Sequence, residues 1–102
     1  MIEYKLLKEL EHNPSATQRT LAQRLNVSLG KINYLLTGLA QKGIIKAKKL
    51  KNNPSKIRWN YVLTPKGVKE KVRLTKNYLE YRMVEFEKLR FEIEEMKREL
   101  SD

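Results

Sequence analysis

Residues 17–45, TQRTLAQRLNVSLGKINYLLTGLAQKGII, decide the fold. Their spacing predicts two short helices joined by a tight turn. Leu21 and Leu25 stand four apart on one face of the first helix, and the small Ala22 lets a second helix cross close to it. Asn26 stands where the chain must turn sharply, and asparagine tolerates left-handed backbone better than other non-glycine residues. Ser28 is placed to cap the second helix by accepting an orphan backbone N–H. Ile32, Leu35, Leu36 and Leu39 recur at helical spacing as a buried stripe, and Gly43 stops the helix. This order is a helix-turn-helix; spacing alone also permits an ordinary helical hairpin with no ligand.

Charge weighs against the bare hairpin. The 102-residue chain carries a formal net charge of +10. Between Glu11 and Glu70 there is no acid, while Lys or Arg occurs at positions 19, 24, 31, 42, 46, 48, 49, 51, 56, 58, 66 and 69. A basic block that coincides with a helix-turn-helix is the electrostatic footprint of a nucleic-acid binder. An anionic membrane surface fits less well, because the apolar residues here are committed to a core.

Working outward, residues 2–12 read as a first helix with the stripe Ile2, Leu6, Leu7 and Leu10, ended by Pro14. Thr17 is a cap for the next helix. Gln18 and Arg19 lie in its first turn, where free N–H groups and partial positive charge suit a phosphate. On the second helix of the motif, Ser28, Gly30, Lys31, Asn33, Tyr34 and Thr37 stay outside, mostly near the N-terminal end, which is the end that enters a major groove. Asn33 suits paired hydrogen bonds to adenine, and Lys31 suits guanine acceptors or phosphate. Tyr34 can stack or donate to phosphate. Gly30 and Gly38 each weaken the helix by about 1 kcal/mol relative to alanine, so a close approach is expected somewhere along it.

Residues 44–63 change period. IIKAKKL, the turn formers KNNPSK and the alternating IRWNYVL predict a β-hairpin. A basic hairpin after a helix-turn-helix is a wing, with Lys51, Asn52, Asn53, Lys56 and Arg58 near its tip for phosphate or minor-groove contact. Trp59 and Tyr61 share a face and are expected in the core.

Thr64-Pro65 starts the last helix, Thr as cap and Pro at the first helical position. Some 35 residues at 1.5 Å each make about 50 Å of helix, too long for one small domain to bury. Val72, Leu79, Phe86, Ile93 and Leu100 form one heptad row; Thr75, Arg82, Leu89 and Met96 form the other. The dimer interface expected from this seam is Leu79, Met83, Phe86, Leu89, Ile93, Met96 and Leu100. Glu85 and Glu92 would face Arg90 and Lys97 of a parallel partner, which favours a parallel homodimer, each bridge being worth little. Arg82 marks the expected exit from the globular part. An antiparallel pair and a single helix folded back on its own domain are the alternatives.

The expected organisation is therefore mainly α with a small β-hairpin: a winged helix-turn-helix DNA-binding domain over residues 1–64, then a long C-terminal coiled-coil helix over 65–102. Cysteine is absent and His12, beside Asn13 and Pro14, reads as a last-turn residue, so neither a metal site nor a cofactor is expected. No apolar run approaches the roughly 20 residues of a membrane span, and MIEYKLLKEL lacks the order of a signal peptide; a cytoplasmic protein is expected. With no Ser–His–acid set, no phosphate-cradling glycine loop and no paired acids in the globular part, the chain does not read as an enzyme.

The segments SLGKINY and LTPKG, with the basic wing and the tail EKVRLTKNYLEYRMVEFEKLRFEIEEM, resemble the MarR-type winged helix-turn-helix regulators. The small subgroup called EPS-associated, encoded near exopolysaccharide gene clusters, is the most similar. The resemblance spans nearly the whole chain. It implies a dimeric transcriptional regulator whose residues 28–42 read the major groove. Larger MarR proteins bind effectors between additional helices; this chain has only a short first helix and one long last one, which argues against such a small-molecule pocket. The competing reading is an assembly module that docks on protein or RNA and uses the coiled coil as a handle.

Overall fold

The computed structural model describes the backbone of residues 1–53 and 56–101 and the side chains of residues 1–49 and 59–101. Four helices, α1 (Ile2–His12), α2 (Gln18–Leu25), α3 (Leu29–Gln41) and α4 (Pro65–Ser101), are joined by a hairpin of β1 (Ile45–Asn53) and β2 (Lys56–Leu63) between α3 and α4. Local chemistry sets the boundaries. Thr17 caps α2 by accepting the Thr20 N–H at 3.0 Å, and Ser28 caps α3 by accepting the Lys31 N–H at 3.0 Å. Asn26 takes the left-handed conformation (φ 56°) that lets the chain reverse between the two helices. Gly43, at φ 72°, ends α3 and turns the chain into the hairpin.

The three short helices close around one core. Leu6, Leu7 and Leu10 of α1, Leu21 and Ala22 of α2, and Ile32, Leu35, Leu36 and Leu39 of α3 are buried together with Ile44, Ile45 and Leu74. Each large aliphatic side chain so buried contributes roughly 1.5–3 kcal/mol. Among the described residues no polar or charged side chain is buried. Two ion pairs tie α1 to its neighbours at the rim: Glu9 with Arg24 at 2.8 Å and Glu11 with Lys71 at 2.6 Å. Glu70, the first acid after the basic block, hydrogen-bonds Arg73, which holds its carboxyl below the usual range.

The hairpin is antiparallel, running from Ile45 opposite Leu63 at its base to Asn53 opposite Lys56, with an irregularity between Lys51 and Asn53. Its base is part of the body: Tyr61 and Leu63 pack on the core, and the Tyr61 N–H donates to the Pro14 carbonyl at 3.3 Å. Trp59 departs from expectation. It shares the face of Tyr61 but is 53% exposed. Alternation assigns a residue to a face, and one step beyond Tyr61 that face has run past the helices.

The junction with α4 is tight. Thr64 accepts the Gly67 N–H at 3.0 Å, and its hydroxyl reaches the carbonyls of Gly43 and Ile44. A Cβ on Gly67 would lie 1.9 Å from the Ile44 carbonyl oxygen, so only glycine fits. Leu74 is buried, and Tyr78 stacks on Tyr4 with ring centroids 4.8 Å apart. Beyond that stack the helix leaves the body, one turn before the expected Arg82, which is exposed and pairs with Glu85 at 3.5 Å. The molecule measures 72 × 26 × 21 Å, its long axis reflecting the projecting helix.

Candidate nucleic-acid interface

The N-terminal half of α3 presents a continuous exposed surface. Ser28, Gly30, Lys31, Asn33, Tyr34 and Thr37 are all exposed, Tyr34 at 70%. The opposite face of the same helix supplies four core residues, so the core fixes which way the polar face points. The Lys31 ammonium lies 5.9 Å from the centroid of the Tyr34 ring, within reach of a cation–π contact. An open concavity of about 640 Å³ runs along the helix, lined by Gly30, Asn33, Tyr34, Thr37, Gly38 and Gln41 and edged by Glu3 and Lys42. A Cβ at Gly30 or Gly38 would meet nothing within 4 Å. Neither glycine serves packing within the described part of the chain, and both open the concavity.

At the start of α2, Arg19 is exposed, whereas Gln18 is half-buried. The Gln18 amide is engaged at both ends. Its Oε1 accepts from Asn33 Nδ2 at 3.3 Å, and its Nε2 donates to the Tyr61 hydroxyl at 3.3 Å. One polar ladder thus joins the exposed face of α3, the N-terminus of α2 and the base of the hairpin. The separations of 15 and 43 residues leave no local pattern from which to foresee it. The expected contacts Lys51, Asn52, Asn53, Lys56 and Arg58 have side chains outside the described residues; the backbone of the strands carries them along the outer part of the hairpin.

Residues 2–46, spanning α1, α2, α3 and the start of β1, match a family model described as winged helix-turn-helix DNA-binding. With the antiparallel hairpin that follows, the topology is settled. The fold is a winged helix-turn-helix. No curated protein sequence matches the chain. Several solved structures are similar to the chain in fold. A mutant form of MepR from S. aureus is 24% identical over 98% of this chain and 74% of its own, with a TM-score of 0.69. FabT from Streptococcus pneumoniae, solved in complex with DNA, is 23% identical over 82% of this chain and 57% of its own, at 0.60. ZitR from Lactococcus lactis, a zinc-responsive MarR family member, is 18% identical over 86% of this chain and 58% of its own, at 0.63. The chain spans little more than half the length of the latter two, and at these identities the likeness is one of fold. Among the described residues no three His, Cys, Asp or Glu side chains are grouped to hold a metal ion, and no helix is long and apolar enough to cross a membrane.

Proposed function

We propose that this winged helix is a bacterial transcriptional regulator that binds double-stranded DNA as a homodimer, acting in the cytoplasm and without catalysis. The observation that carries the reading is the exposed N-terminal face of α3, set in an acid-free basic span on the fold that FabT presents in complex with DNA. In this reading Ser28, Lys31, Asn33, Tyr34 and Thr37 meet base edges, and Gly30 lets the backbone approach. Arg19 and the α2 N-terminus hold phosphate with Gln18, as do Lys51, Asn52, Asn53, Lys56 and Arg58 of the wing. Residues 1–64 read DNA, and residues 65–102 pair two copies in parallel, so that two α3 helices address half-sites about one turn apart. The resemblance to the EPS-associated subgroup makes exopolysaccharide genes the proposed target.

Titration with genomic duplex fragments tests the whole. Retention of particular fragments at physiological salt is expected. Sequence-blind binding that disappears with salt would instead favour a protein- or RNA-docking module. Two substitutions separate base reading from backbone holding. Asn33→Ala is expected to relax preference at one base position, costing about 1–3 kcal/mol there. Lys56→Ala is expected to weaken all sequences alike and to reduce the slope of log affinity against log salt by about 1. A binding-site selection with each variant reads the first, and a salt series on one duplex reads the second.

A further inference from the structure

The ladder Tyr61–Gln18–Asn33 has a direction, and direction matters to a base reader. As placed, Asn33 donates one Nδ2 hydrogen to Gln18, and Gln18 donates to the Tyr61 oxygen. Asn33 is left with Oδ1 as an acceptor and its second Nδ2 hydrogen as a donor. Adenine offers the complement in the major groove, an N6 donor beside an N7 acceptor. Reversing the ladder would have Tyr61 donate to Gln18 and Gln18 donate to Asn33 Oδ1. Asn33 would then show the groove two donors, the complement of guanine O6 and N7. The same side chain therefore reads different bases according to which way two neighbours point.

We propose that Gln18 and Tyr61 are positioning residues that fix the orientation of the Asn33 amide and thereby set its preference for adenine over guanine. The proposal rests on α3 being the DNA reader and adds which residues tune it. Neither Gln18 nor Tyr61 needs to touch a base to do so. Gln18 is half-buried, and Tyr61 is held by core packing and by its own backbone bond to Pro14, so the far end of the ladder is anchored to the body.

The test is binding-site selection on the full chain, read as the adenine-to-guanine ratio at the position that Asn33→Ala alters. Tyr61→Phe removes one oxygen and releases the ladder; the ratio is expected to fall from roughly tenfold or more to within about twofold. Gln18→Glu can only accept, which keeps Asn33 donating to it, so the ratio is expected to persist even as overall affinity drops. Gln18→Lys can only donate, which turns the Asn33 oxygen inward, so the preference is expected to move to guanine. A purely structural role would lower affinity for all sequences and leave the ratio untouched, and that result in all three variants would overturn the proposal. Tyr61→Phe keeps the ring that packs on the core and carries the test on its own if a Gln18 variant fails to fold. Were Asn33→Ala also to leave the selection profile unchanged, the reading of α3 would fail with it, whereas a profile changed by Asn33→Ala alone would sink only the ladder.

Discussion

Replacing Phe86 and Ile93 together by glutamate is expected to turn a dimer into a monomer and to weaken binding at a two-half-site operator by roughly 100-fold or more, the range in which linked binding sites exceed single ones. Along the projecting part of α4, Leu79, Phe86, Leu89, Met96 and Leu100 are between 47% and 88% exposed. An apolar strip of that length left in water marks a surface that is normally covered. Two glutamates at successive positions of one heptad row would set like charges against each other across the seam. Sedimentation velocity reads the mass, and anisotropy with full and half operators reads the coupling. The idea is wrong if the variant keeps the wild-type mass and the wild-type difference between full and half sites. Orientation is a finer matter. Within one chain Glu85 already lies 3.5 Å from Arg82 and raises the Tyr81 phenol through a hydrogen bond. Arg90 lies 2.9 Å from Glu87, and Lys97 lies 3.9 Å from Glu94. Parallel pairing would exchange these exposed pairs for cross-seam ones at little net energy. In the proposed dimer the apolar rows would carry the affinity, and the charges would do no more than bias the register.

Gly67→Ala is expected to be strongly destabilising. The added carbon would sit 1.9 Å from a backbone oxygen, which has no rotamer by which to yield. Either α4 shifts away from the end of α3 or the Thr64 cap opens. Overpacking of this kind costs about 3 kcal/mol, and a domain of this size loses roughly 4–8 °C of melting temperature per kcal/mol. Circular dichroism melts measure it directly. Gly30→Ala provides the contrast: the site is open, alanine is the better helix former, and stability is expected to rise by about 1 kcal/mol. Equal melting temperatures for the two variants would count against the packing described at the junction.

The helices and their caps were legible because their causes are local. Thr17, Asn26, Ser28, Gly43 and Thr64-Pro65 each act within a few residues, and each stands where its chemistry predicts. The core stripe of α3 was legible for the same reason. Trp59 was misread because the two-residue period of a strand tells which face a side chain takes, not how far the body beneath extends. The exit of α4 was misplaced by one turn because it depends on Tyr4 meeting Tyr78 across the fold. The Gln18 ladder escaped notice on the same ground: it joins three elements that only the closed core brings together.

The start of α4 has a mechanical consequence. Its first turns are clamped by the Thr64 cap, the close fit of Gly67 and the Tyr4–Tyr78 stack, and no proline or glycine follows before Ser101. Nothing in that stretch can act as a hinge, so each winged-helix head is fixed to a stiff lever. In a pair joined near the far ends, a change in splay of about 5° over some 50 Å of helix would displace each head by roughly 4 Å, more than one base-pair step. In the proposed dimer, whatever grips the tails would therefore set the spacing of DNA that the heads accept.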